Sequence, residues 1–165
     1  MLYAAWNGAM SSGNTPIPPI TTGTSTKTLM QLKANASASF KVKSWGVCFD
    51  GITAATPIKC ELIETGTVGA TVTAYVAADI YPYENAAGEA WIGQLGTTAS
   101  GYTSSGEGTI TATRMGDYQL VAPTNKYLYD WVLSNEFQVP AGKVCRIRVT
   151  AAAAVNAIAF MKIEQ

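Results

Sequence analysis

From Lys27 onward apolar and polar residues alternate with a period of two, the repeat of a strand with one buried face. Residues 39–50 put Phe40 and Val42 opposite Lys41 and Lys43, then continue with Trp45, Val47 and Phe49 in the other parity. That switch across Ser44, Trp45 and Gly46 predicts a one-residue bulge near Gly46, because an extra residue re-aims the pleat. In 57–64 Ile58, Cys60 and Leu62 oppose Lys59 and Glu61. In 71–79 Val72, Ala74, Val76 and Ala78 oppose Thr71, Thr73 and Tyr75. In 143–150 Cys145, Ile147 and Val149 face inward and Arg146 and Arg148 outward. Further strands are predicted at 28–34, 108–114, 127–139 and 155–164. The 155–164 segment is apolar on both faces, as in a strand central to its domain or covered by another subunit. In 127–139 Tyr127, Tyr129 and Trp131 share one face, fit to fill a core or an intersubunit seam, or to stack on sugar rings.

About eight strands broken by turn signals such as Asp50-Gly51, Thr65-Gly66 and Pro140-Ala141-Gly142 predict an all-β fold, a single β-sandwich of jelly-roll type. No window carries a helical repeat of ten residues or more, and Ala151 to Ala154 is too short to nucleate a helix. The expected core includes Phe40, Val42, Val47, Leu62, Val72, Val76, Ile147, Val149 and Ala157. The sandwich occupies 27–165. Residues 1–26 read as an extended N-terminal arm, uncharged before Lys27 and stiffened by Pro16-Ile17-Pro18-Pro19. Its apolar residues Leu2, Tyr3, Trp6, Ile17 and Ile20 exceed what a solvated tail needs. The arm therefore packs along its own domain or reaches a neighbour, and reaching a neighbour, with Tyr3 and Trp6 as anchors, is the leading expectation. The long segment 80–106, with Tyr81, Tyr83, Trp91 and Tyr102, either anchors a partner or folds back over the sheets; folding back is the favoured reading. Candidate partner contacts are thus Tyr3, Trp6, Ile17, Ile20, Tyr81, Tyr83 and Trp91.

Composition narrows the chemistry. The 165 residues hold 11 Lys plus Arg against 11 Asp plus Glu, a formal net charge of zero, with 13% charged residues and no histidine. Zero net charge argues against a nucleic-acid footprint. Without histidine there are no Ser-His-Asp or Cys-His pairs and no histidine metal ligands. Cys48, Cys60 and Cys145 have no metal or disulfide spacing and read as buried free thiols. Glu61 and Glu64 fall on opposite strand faces, and Glu84 and Glu89 lie in the long segment with nothing nearby in sequence to raise a pKa. No calcium loop or phosphate-cradling motif is present. No catalytic residue, cofactor or metal is expected, and the N-terminus has neither the basic start nor the apolar run of a signal or membrane segment.

Several stretches carry a resemblance: Lys27-Thr28-Leu29-Met30-Gln31-Leu32-Lys33, Trp45-Gly46-Val47-Cys48-Phe49-Asp50-Gly51 leading to Thr56-Pro57-Ile58, Gly96-Thr97-Thr98-Ala99-Ser100-Gly101-Tyr102, Glu107-Gly108-Thr109-Ile110, and Arg146 through Ala157. They resemble small structural proteins of tailed bacteriophages and prophages, with capsid decoration or cement proteins the nearest class. The resemblance implies a non-enzymatic virion protein on the outer face of an icosahedral head. It would be made in the host bacterial cytoplasm, bind the major capsid protein, and self-associate as a trimer first and a dimer second. No nucleic-acid or membrane partner is implied. A tail or baseplate component and a carbohydrate-binding host-attachment module are the alternatives.

Overall fold

The computed structural model describes residues 1–10, 16–53, 55–83, 89–108 and 111–165. The strands are β1 (Leu2–Trp6), β2 (Ile20–Thr21), β3 (Thr26–Lys33), β4 (Phe40–Phe49), β5 (Ile58–Glu64), β6 (Thr71–Ala74), β7 (Tyr81–Pro82), β8 (Gly101–Gly106), β9 (Arg114–Val121), β10 (Lys126–Asp130), β11 (Phe137–Val139), β12 (Val144–Thr150) and β13 (Asn156–Glu164). The chain is all-β, built of two antiparallel sheets packed together. One has seven strands in the order β10-β4-β13-β1-β7, with β11 also on β4 and β2 on β13; the other has six in the order β6-β8-β3-β12-β5-β9. Four of the pairings are nested, β1 with β13, β3 with β12, β4 with β10 and β5 with β9, and β4–β13 and β5–β12 join them into the two sheets.

Alternation builds the interior. Leu32, Met30, Cys145, Ile147, Cys60 and Leu62 from one sheet meet Val42, Trp45, Val47, Ala159, Met161 and Ile163 from the other. The bulge forms where parity breaks: Lys162 pairs with Ser44 and Ile163 with Val42, leaving Lys43 as the extra residue and bringing Ser44 and Trp45 both to full burial. The apolar-on-both-faces strand, β13, lies between β4 and β1.

The N-terminal segment departs from a reaching arm. Leu2–Trp6 is an internal strand of the seven-stranded sheet, with β13 on one side and β7 on the other. Asn7 then splices the chain out of the sheet. Its main-chain N–H donates to Ala159 O (3.0 Å), its Nδ2 to Ala157 O (3.0 Å), and its Oδ1 accepts Ala159 N–H (3.0 Å). The carboxamide thus supplies the ladder bonds the departing backbone gives up. The chain returns at β2, where Ile20 pairs with Ala157. Within the excursion, residues 11–15 of the predicted arm lie outside the described residues.

Other expectations need correction. The strand predicted over 71–79 stops at Ala74, and Ala77–Asp79 is a 3-10 turn. Asp79 ties that turn by accepting the N–H groups of Val76 (2.9 Å) and Met10 (2.8 Å). Val76, expected in the core, is therefore 62% exposed, while the other eight predicted core residues are buried. The strand predicted at 108–114 begins only at Arg114 and runs to Val121; Thr109 and Ile110 lie outside the described residues. The 127–139 segment divides into β10 and β11, both on β4. Arg146 does face outward, yet it is fully buried. Alternation fixes which side of a sheet a residue takes; it says nothing of what covers that side.

Candidate functional site: an aromatic outer face

Residues paired across neighbouring strands share a face. Leu128, Gly46, Phe160 and Trp6 stand in one row across β10, β4, β13 and β1, on the side away from the core. Tyr81, opposite Ala4, extends this face onto β7. The Trp6 and Tyr81 rings lie parallel, 5.7 Å apart at 4°, and Phe160 is 6.2 Å from Trp6 at 34°. Lys162 Nζ sits 4.6 Å above the Tyr83 ring, a cation on an aromatic face. Gly46 lets the rings settle flat on the sheet: a Cβ there would stand 2.6 Å from Phe160 Cε1 and 2.9 Å from Tyr127 O. Behind the row, the Tyr75 hydroxyl donates to Trp6 O. Burial, and then the Asp79 charge, raise the Tyr75 pKa well above its ordinary value, so this donor keeps its proton. Tyr83 is 51% and Leu128 56% exposed, while Trp6, Phe160, Tyr81 and Ile158 are half-buried.

The structure sorts the predicted contact residues into groups. Trp6, Tyr81 and Tyr83 come together on this face. Tyr3 and Trp91 are drawn into the chain's own core, with ring centroids 6.4 Å apart and Phe40 5.7 Å from Trp91. Tyr3 Oη donates to Glu89 O (2.9 Å), which holds the described part of the 80–106 segment back over the sheets. Tyr3 is thus an internal anchor, not one offered to a neighbour. Ile17 is half-buried against Gly8, where a Cβ would lie 2.4 Å from Ile17 Cγ2. Ile20 belongs to β2. Phe160 and Leu128 were not singled out as contacts; the signal for Phe160 was the second apolar face of its strand.

The centre of the outer face of the six-stranded sheet is closed, while toward β9 Met115, Tyr118 and Leu120 stand exposed on the same face. Gln31 and Arg146, opposite each other on β3 and β12, are both fully buried. Gln31 Nε2 donates to Ala70 O (3.0 Å) and Ala99 O (2.6 Å), while its Oε1 accepts Ala70 N–H (2.9 Å) and Arg146 Nε–H (3.0 Å). Glu107 Oε2 stands 3.9 Å from Arg146 Nη1. Its carboxylate also accepts Thr28 N–H (2.5 Å), Thr28 Oγ1–H (2.6 Å) and the Ser104 hydroxyl. Burial lowers the Arg146 pKa to about 10 against the pull of Glu107, which leaves the guanidinium charged at neutral pH.

Several carboxylates are tied to neighbouring side chains. Glu64 holds Arg114 (2.5 Å), Glu61 holds Arg148 (2.8 Å), and Glu136 holds Lys43 (2.5 Å). Asp117 accepts from Trp45 Nε1 (3.2 Å) and Tyr127 Oη (2.7 Å), and Asp50 from Asn156. Glu84 lies outside the described residues. Burial pushes the Cys60 thiol up to about 12 and that of Cys145 higher still, which disfavours the nucleophilic thiolate. Among the described residues no three His, Cys, Asp or Glu side chains gather as a metal cluster, and no helix is long and apolar enough to cross a membrane. The aromatic face offers flat apolar area, phenol hydroxyls and one cation, which suits surface association. Comparisons with protein-family models, curated proteins and solved structures give no match.

Proposed function

We propose that this chain is a non-enzymatic structural subunit of a virion, a jelly-roll decoration protein that binds the outer face of a tailed-phage head. The class rests on the resemblance of the stretches from Lys27 to Ala157. The nested pairing of β1, β3, β4 and β5 with β13, β12, β10 and β9 supports the jelly-roll reading. The observation that carries the mode of action is the open ring face of Trp6, Phe160, Tyr81 and Tyr83. Such rings contribute most of an interface's energy when covered, and they sit on a sheet rather than a loop.

Reconstruction of heads assembled with and without the chain tests this reading. The expected result is density on the outer surface with the ring face toward the shell, lost in Trp6→Ala and Tyr81→Ala variants that still fold. Density confined to the tail would move the role to the baseplate. Binding to a glycan array that Trp6→Ala abolishes, with no binding to heads, would replace it with host attachment.

A further inference from the structure

Among the described residues the two sheet paths end on β10, β7, β6 and β9, and the last three are short or bulged. β7 is two residues long and contains Pro82. β6 has four residues with two irregularities against β8. β9 bulges at Gly116, skipped between Asp117 opposite Leu62 and Met115 opposite Ile63. β10 runs its five residues in unbroken register with β4 and contains no proline. Regular, unprotected edges are templates for another strand.

Its main-chain polarity follows from the flanking bonds. Asn125 O accepts Phe49 N–H (3.2 Å) and Trp131 N–H donates to Lys43 O (2.9 Å), so odd-numbered residues point their polar groups at β4. Lys126, Leu128 and Asp130 therefore hold theirs toward the open side. All three are exposed, Leu128 at 56%. Among the described residues neither Lys126 nor Asp130 has an ion-pair partner.

The strand reads Lys-Tyr-Leu-Tyr-Asp, which is complementary to itself run antiparallel. We infer that β10 pairs with β10 of a second copy about a twofold axis at Leu128, joining two seven-stranded sheets into one. In that register Lys126 faces the partner's Asp130, Leu128 faces the partner's Leu128, and Tyr127 faces the partner's Tyr129. The residues with outward polar groups fall opposite one another, so each exchanges both main-chain hydrogen bonds. Opposite charges come together at both ends, and the central leucine is covered. The turn after β10, with Val132 at 76% and Leu133 at 79% exposure, lies beside each end of the paired strands. The occupant is a second copy because the charge order fits this strand's own reverse. The contact is isologous, and it is independent of any role on a phage head.

Sedimentation velocity on the full chain tests it. The wild type is expected as a dimer. Lys126→Asp and Asp130→Lys, each alone, set like charges opposite at both ends and should lose the dimer at concentrations where the wild type keeps it. Mixing those two variants restores complementary pairs at both ends and should restore a dimer. Leu128→Pro removes an N–H that β4 does not use, so it should be monomeric with a melting temperature near that of the wild type. A wild type that is monomeric at every concentration, a threefold assembly, a dimer indifferent to the single charge reversals, or no rescue on mixing would each overturn the proposal.

Discussion

On the outer face of the six-stranded sheet, Gln31 and Arg146 are sealed beneath Ala70, Ala99 and Glu107. On the outer face of the seven-stranded sheet, Trp6, Phe160 and Tyr81 lie half-open on a row that runs from Leu128 to β7. Where its own loops close the first face, the buried Gln31 carboxamide takes fixed partners in place of water; toward β9 that face stays open, with Met115, Tyr118 and Leu120 exposed. The second is apolar and its rings pack on one another, so no loop is required to satisfy them. Closure is confined to the surroundings of the Gln31 and Arg146 pair, and the aromatic row stays half-open.

The largest expected effect comes from breaking the closed face at its key. Gln31→Leu leaves Ala70 N–H, the carbonyls of Ala70 and Ala99, and Arg146 Nε without their partner. Losing a charged partner and several amide bonds at full burial should cost about 3–5 kcal/mol, read as a lower midpoint in urea. The counterpart on the open face is Gly46→Ala. Its new methyl meets Phe160 and the carbonyl of Tyr127, which should cost about 1–3 kcal/mol and shift near-ultraviolet signals as the ring row is displaced. A smaller effect for Gln31→Leu than for Gly46→Ala would reverse the comparison.

Arg146→Met sharpens it. Both Nη atoms of Arg146 lack a hydrogen-bond partner among the described residues, so the guanidinium is only partly repaid for burial. Gln31 keeps three of its bonds and Glu107 keeps Thr28 and Ser104 when the arginine is removed. An apolar chain of similar length should therefore lie within about 1 kcal/mol of the wild type or be more stable. Marked destabilisation would make Arg146, rather than Gln31, the residue that holds the face shut.

The two faces were not equally legible in the sequence. Alternation located most strands and eight of the nine named core residues, since a period of two fixes the buried side wherever one face is covered. It also placed the bulge within a few residues of Lys43. It failed where a strand has no alternation or where a turn cuts the alternating stretch short. Leu2–Trp6 pairs regularly with β13 but is apolar throughout and carries no alternation to announce it, and Asp79 ends the strand before Val76. Arg146 reads as facing outward, which it does, but no local pattern announces that residues 70, 99 and 107 arrive from elsewhere to cover it. Of the contact candidates, Trp6, Tyr81 and Tyr83 met on one face only because β1 and β7 are neighbours.

The smallest effect lies at the charged rim of the open face, where Lys43 Nζ meets Glu136 at 2.5 Å and Glu164 at 3.3 Å. The Glu136 side chain is 2% exposed, and the hydrogen bond from Lys43, with backbone N–H support, holds its pKa at about 2 against the cost of burial. The same bond raises Lys43 above its ordinary 10.5. A carboxyl depressed from 4.5 stabilises the fold above that ordinary value and loses the contribution as pH falls through about 2; the raised lysine contributes below 10.5 and loses it as pH rises past its folded value. The pair is therefore whole between those ordinary values. In Lys43→Met the Glu136 carboxyl, followed by carbon-detected NMR, should titrate at a higher pH than in the wild type. The melting temperature at neutral pH should fall less than in Gly46→Ala, because Lys43 is partly solvated and Glu136 keeps its backbone donors. An unmoved Glu136 titration would show that those backbone donors, rather than Lys43, hold the rim in place.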